Sequence, residues 1–156
     1  MQLILIRHSL AEAPQPNKED SLRKLTPDGV KRMQMVADRL SKKVERISVI
    51  AHSGYTRALQ SAQILGETYP GAKVVQLDAF VPDALPHQAL QELRSYGAEI
   101  TMAVVTHQPF ISTFAAFLLP DICSTLRFTP AAFCAIQFAD YPTSHTGKIL
   151  FHQLPD

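Results

Sequence analysis

The sequence predicts an α/β protein, a three-layer α/β/α sandwich around a central, mostly parallel sheet. Two observations carry this. Short apolar runs alternate along the chain with stretches of helical periodicity, the pattern of layered α/β folds. Three of those runs, Leu3 to Ile6, Ile47 to Ala51 and Met102 to Thr106, end abruptly in segments that carry a histidine. Open α/β sheets build their sites where strands end, so these exits are the first place to look for chemistry.

The elements follow in order. Leu3-Ile4-Leu5-Ile6 reads as a buried strand leading into Arg7-His8. Residues 12–24 form a long polar connection with Pro14, Pro16 and the charges Lys18, Glu19, Asp20, Arg23 and Lys24, expected to overhang the strand exit. Thr26 reads as a helix N-cap with Pro27 at the first helical position and Asp28 in the first turn. Val30, Met33, Val36, Ala37 and Leu40 supply that helix's inward face. A second strand at 47–51 exits into His52-Ser53-Gly54-Tyr55-Thr56-Arg57, and a helix from about 55 to 68 is stopped by Tyr69-Pro70-Gly71. A short strand at 73–76, a Pro-containing loop from Asp78 to Pro86 and a helix near 87–97 come next. A fourth strand at 102–106 and its helix from Pro109 to Leu119 follow, and Phe133 to Phe138 and Lys148 to His152 read as two final strands.

Composition bounds the function. A length of 156 residues predicts one domain over 1–156, large enough to bury a core without metals or disulfides. A net charge of +1 offers no basic surface for nucleic acid. No run approaches the roughly 20 apolar residues of a membrane span. Cys123 and Cys134 are the only cysteines, which fits a reducing compartment and disfavours a disulfide. The first apolar run is too short for a signal peptide, so a cytoplasmic location is expected. No His, Asp or Glu residues show ligand spacing on one helix or turn, and neither a metal nor a cofactor is expected.

If the three histidine-bearing strands lie parallel in one sheet, Arg7, His8, Arg57 and His107 converge on one crevice. Two arginines and two histidines make an anion site. A phosphoryl group suits it, because each planar guanidinium offers a fork of donors to the equatorial oxygens. In this reading Arg7-His8 is a nucleophile beside its phosphate clamp.

The same residues resemble the motifs of the histidine phosphatase superfamily, which includes cofactor-dependent phosphoglycerate mutases and acid phosphatases. Arg7-His8 resembles the Arg-His-Gly signature, and Leu25-Thr26 with Gly29 is similar to the Leu-Thr-x-x-Gly element. Ser53 to Ser61 resembles Ser-Pro-x-x-Arg-Ala-x-Gln-Thr, and Thr106-His107 matches the second catalytic histidine. The resemblance runs from residue 1 to about 110 and implies a phosphoglycerate mutase-like fold. Two positions depart from the pattern: Ser9 stands for the usual Gly, uncomfortably if the backbone there needs φ > 0, and Gly54 stands for the usual Pro.

The resemblance implies that His8 forms a covalent phosphohistidine, that Arg7 and Arg57 clamp the phosphoryl group, and that His107 donates to a phosphate oxygen. Ser53 is expected to orient Arg57 or the phosphate through a hydrogen bond. Small size and the segment Asp20 to Thr26 are most similar to the SixA branch, which removes phosphate from phosphohistidine on signalling proteins. Arg23 falls where that branch carries a basic, substrate-binding residue.

Ester-cleaving relatives take a general acid from the loop after the third strand. Here that loop offers Asp83 as the better candidate and Asp78 as the weaker, with no glutamate. A weak acid suits phosphohistidine, since imidazole leaves more readily than an alkoxide. About fifty residues between the second and fourth strands leave little room for a lid, and an open groove admits a protein. The expected partner is a phosphorylated histidine phosphotransfer domain in a two-component relay. A small phosphorylated metabolite, or a phosphate-binding module without turnover, are the alternatives. His52 is expected to be structural and His87, His145 and His152 to lie at the surface, while Phe110, Phe114 and Phe117 belong to the core.

Overall fold

The computed structural model describes residues 1–120 and 126–156, so Cys123 lies outside the described residues. Six strands, β1 (Gln2–Arg7), β2 (Val49–His52), β3 (Lys73–Gln76), β4 (Thr101–Thr106), β5 (Phe133–Gln137) and β6 (Lys148–Gln153), form one sheet in the order β3-β2-β4-β1-β5-β6. The pairs β1·β4, β2·β4 and β2·β3 are parallel, and β5 and β6 join antiparallel. Parallel strands need crossover connections, and helices α1 (Pro27–Ser41), α2 (Thr56–Thr68) and α3 (Pro86–Arg94) lie within them, while α4 (Phe110–Leu118) joins β4 to the antiparallel β5.

Alternation along each strand divides the core into two layers. Ile4, Ile6, Ile50, Ala103 and Val105 face the α1–α2 side with Met33, Val36, Leu40, Ala58 and Leu65. Leu3, Leu5, Ala51, Met102 and Val104 face the α3–α4 side with Leu93, Phe110, Ile111 and Phe114. Phe80 stands edge-on to both Phe110 and Phe114, with ring centroids 6.0 Å away in each case. Phe110 and Phe114 are therefore core, as expected, while Phe117 is half-buried and stacks on Phe114. Among the described residues, no helix is long and apolar enough to cross a membrane.

Register delivers the predicted convergence. Arg7 lies opposite Thr106 and His52 opposite Val105, so the strands leading to Arg7-His8, Ser53 and His107 end side by side. Strand β2 is displaced from its expected span: it begins at Val49 and includes His52, which also pairs with Gln76. Helix α3 stops at Arg94, short of the expected position 97, where Gly97 turns with φ +85.

The long connection 12–24 is closed at its neck. Ala11 bridges Leu25, and the Glu12 and Thr26 amides donate to the Lys24 and Leu10 carbonyls at 2.8 and 3.0 Å. Thr26 then caps α1, its hydroxyl accepting from the Gly29 amide at 3.0 Å. Gly29 is required here by close approach, since a Cβ at this position would lie 2.0 Å from the Leu10 carbonyl oxygen. Gly29→Ala is therefore expected to lower stability by about 1–3 kcal/mol through overpacking against backbone. A urea titration should show this as a lower midpoint at unchanged slope.

Candidate active site

His8 is the point on which the strand ends converge. Its Nδ1 lies 2.7 Å from the Ser9 carbonyl oxygen. A carbonyl accepts only, so this nitrogen carries the proton and Nε2 presents its lone pair. The Nε2 accepts from Arg57 Nε at 3.2 Å. Burial first, and then the charges of Arg57, Arg7 and Arg23, lower the His8 pKa to about 4, although the Ser9 carbonyl favours the protonated ring. The imidazole is neutral at pH 7, with its lone pair aimed at a guanidinium.

Arg57 reaches that position because it belongs to the buried stripe of α2, with Ala58, Ser61, Ala62 and Leu65. The chain enters α2 through Gly54 at φ +90, a backbone state closed to proline, so the glycine here goes with a turn of different shape. A Cβ on Gly54 would also lie 2.7 Å from the Gln76 side chain. His52 helps to shape this turn by accepting from the Gly54 amide at 3.1 Å, the structural role expected of it.

Arg7 anchors on the other side of the strand end, its Nη1 donating to the Phe128 carbonyl at 2.8 Å. Burial first, and then the Arg57 charge, lower its pKa. His107 stands beside His8 with ring centroids 5.0 Å apart. Its Nε2 shares a 2.6 Å hydrogen bond with the Ser53 hydroxyl, which also accepts from the Tyr55 amide at 3.3 Å. Ser53 thus orients His107, where the sequence reading placed its bond on Arg57 or the phosphate. Burial, followed by the His8 and Arg57 charges, pushes the His107 pKa far down. The buried Arg7 Nε and His107 Nδ1 have no hydrogen-bond partner among the described residues. An unpaired buried guanidinium N–H such as that of Arg7 Nε, beside a neutral imidazole, is what an incoming oxyanion satisfies.

Several functional neighbours escaped the sequence reading. The Ser61 hydroxyl accepts from the Ser9 amide at 3.1 Å and donates to the Arg57 carbonyl at 2.8 Å, coupling the two arms of the site. Gln60 accepts from the Leu25 amide at 2.7 Å, which ties the neck of the 12–24 connection to α2. Tyr55 lies against the His107 ring at 4.9 Å and under the Arg57 guanidinium at 5.0 Å. The motif spacing contained Gln60 and Ser61, but only as pattern, with no hint of their partners.

The connection 12–24 does overhang the site, and it brings a carboxylate. A single 3-10 turn at Asp20–Leu22 places the Asp20 side chain 2.9 Å from Arg57 Nη2. Arg57 Nη1 donates to the Asp20 carbonyl at 2.7 Å, and Arg23 Nε donates to the Asp20 carboxylate at 2.8 Å. Arg23 therefore approaches the site through Asp20. One acid among many charges in this polar stretch gave no signal of its own.

Asp83 and Asp78 are both exposed. Asp78 accepts from Gln76 at 3.0 Å, and among the described residues no hydrogen bond or ion pair joins Asp83 to the four central residues. Their loop is pinned instead through Phe80, whose carbonyl accepts from the Thr106 hydroxyl at 2.6 Å. Ser9 is unstrained, since Ala131 and His145 are the non-glycine residues with positive φ among those described. A separate hollow lined by Glu45, Arg46, Thr68 and Tyr69 lies at the opposite, amino-terminal edge of the sheet and holds no comparable cluster.

Comparison with known proteins agrees with this geometry. A sequence comparison with the curated proteins finds no match. Among solved structures, the protein histidine phosphatase SixA complexed with tungstate superposes with a TM-score of 0.85 at 23% identity, over 99% of this chain and 97% of that one. A protein assigned as the phosphohistidine phosphatase SixA of Agrobacterium tumefaciens gives 0.82 at 19% identity, over 99% and 98%. Phosphoserine phosphatase from Entamoeba histolytica, in complex with 3-phosphoglyceric acid, gives 0.70 at 16% identity, over 98% and 96%. At these identities the likeness establishes the phosphoglycerate mutase-like fold. The family model described as histidine phosphatase superfamily (branch 1) matches residues 3–81, half of the chain and the part that holds Arg7, His8 and Arg57. With the fold, the strand-end cluster and this match in agreement, the chain belongs to the histidine phosphatase superfamily, branch 1.

Proposed function

We propose that this protein is a metal-independent phosphatase that acts through a phosphohistidine at His8, and that its substrate is phosphohistidine on a histidine phosphotransfer domain. The observation that carries the reading is the His8 tautomer: Nδ1–H is held by the Ser9 carbonyl, leaving the Nε2 lone pair facing Arg57. That lone pair forms a bond to phosphorus while the bond to the leaving group breaks, and water then hydrolyses the intermediate. Arg7, Arg57 and His107 supply donors to the equatorial oxygens.

Among the described residues no carboxylic acid stands ready to protonate an alkoxide, because Asp78 and Asp83 are exposed and uninvolved with the cluster, and Asp20 is held by two arginines. Imidazole departs from a phosphoramidate without a strong acid, so the site suits phosphohistidine better than an ester. The SixA proteins are similar in fold along their whole length, which supports the same choice. A second reading, hydrolysis of a small phosphomonoester with Asp83 as acid, is favoured by the likeness to phosphoserine phosphatase.

Release of phosphate from a phosphohistidine-bearing transfer domain, from phosphoserine and from p-nitrophenyl phosphate, with and without chelator, separates these readings. The phosphohistidine protein is expected to turn over fastest and chelator to make no difference. His8→Ala should reduce turnover to background, and Arg57→Ala should cost on the order of 10²–10³ or more in kcat. Preference for the esters would favour the metabolite phosphatase, and no turnover of any substrate would leave a phosphate-binding module.

The nucleophile carries its own pH signature. With a folded pKa of about 4 against an ordinary 6.5, His8 stays neutral as the pH falls through the range where an unfolded histidine takes up its proton. Its contribution to stability is therefore present above pH 6.5 and is lost as pH falls from there toward 4. An NMR titration of the His8 ring should give a midpoint near 4, whereas a midpoint near 6.5 would remove the neutral nucleophile from the proposal.

A further inference from the structure

The Asp20 carboxylate is a feature of the site that a phosphate clamp does not call for. Its side chain is 55% exposed, while the Arg57 side chain beneath it is 4% exposed. Oδ2 accepts from Arg57 Nη2 at 2.9 Å and Oδ1 from Arg23 Nε at 2.8 Å, so both oxygens are held in place. Arg23 is fixed in turn by donating to the Glu12 carbonyl at 2.7 Å, within a loop whose neck is hydrogen-bonded shut. The same Arg57 guanidinium that touches Asp20 also touches His8 Nε2 at 3.2 Å. A fixed, solvent-facing negative charge thus stands one guanidinium away from the nucleophile.

We propose that Asp20 is the specificity-determining residue of this site: a charge filter that rejects phosphate esters bearing a second anion and accepts a leaving group that presents an N–H. The inference rests on the phosphatase reading given above and names its substrate class. A carboxylate next to the ester, as in a phosphoglycerate, would be placed against Asp20. Like charges brought side by side at a partly exposed site cost on the order of 10- to 100-fold in affinity. The ring of phosphohistidine offers the opposite. Its unphosphorylated nitrogen, when protonated, donates to the Asp20 carboxylate. The His8 Nε2 lone pair forms the new P–N bond, the old P–N bond breaks with its electron pair returning to the substrate ring, and that ring leaves as neutral imidazole with its N–H retained. No external acid enters the balance, in keeping with the exposed positions of Asp78 and Asp83.

The test pairs two ligands that differ by one carboxylate. Dissociation constants for glycerol 3-phosphate and 3-phosphoglycerate are measured by calorimetry on wild type, Asp20→Asn and Asp20→Glu, alongside kcat/KM for phosphoimidazole. Wild type is expected to bind glycerol 3-phosphate at least tenfold more tightly. Asp20→Asn should compress that ratio below threefold and lower kcat/KM for phosphoimidazole about tenfold, and Asp20→Glu should retain the discrimination. A general loss of structure would weaken both ligands together and leave the ratio unchanged, which a purely structural role predicts. An unchanged ratio in Asp20→Asn, equal binding of both ligands by wild type, or binding of neither overturns the filter. If phosphoimidazole and the phosphohistidine protein are still turned over, the phosphatase reading survives that result. If wild type turns over neither, that reading falls as well.

Discussion

A guanidinium buried to 4% exposure at the end of a sheet constrains everything around it. Removing such a charge from water costs several kcal/mol unless its donors are matched. Arg57 is matched on each nitrogen: Nε by His8, Nη1 by the Asp20 carbonyl and Nη2 by the Asp20 carboxylate. The partners come from two separate stretches of chain, so satisfying one side chain brings a strand end and a folded loop to the start of a helix. The neutral state of His8 follows from the same arrangement, because burial and the neighbouring arginines oppose a further positive charge.

Around this centre the motif residues divide into those that face the chemistry and those that hold the frame. Thr26 caps α1, Gly29 lets the helix lie against the Leu10 carbonyl, Gln60 holds the Leu25 amide and Ser61 joins residue 9 to α2. Among the described residues none of these four hydrogen-bonds to His8; they hold the frame in which the strand end and α2 meet. The conformational freedom of the 12–24 connection is restricted at its neck, which lets a polar loop carry a carboxylate at a fixed place over the site. Tyr55 adds a face on which both His107 and Arg57 rest.

Two substitutions within the motifs illustrate how local geometry absorbs change. Ser9 keeps its carbonyl on His8 Nδ1 and its amide on Ser61 without a left-handed backbone, so the side chain enters at no conformational cost. Gly54 occupies a left-handed turn that no proline can form, so the entry to α2 has been rebuilt while Arg57 still reaches the nucleophile.

Strand and helix positions were legible in the chain because burial imposes its period directly on residue choice: continuous apolar runs in β1, β2 and β4, and spaced apolar positions in α1. The placing of Arg7, His8, Arg57 and His107 at one edge was legible for the same reason, since parallel strands fix where their ends lie. What the sequence could not contain was the partner of each polar side chain. Ser53 was assigned to Arg57 or the phosphate and is found on His107, and Asp20 was one charge among several in a polar stretch. Hydrophobic periodicity is a property of a segment and survives in one dimension. A hydrogen bond between residues 37 positions apart depends on loop closure and on competition among all nearby donors, so only the tertiary structure could decide it.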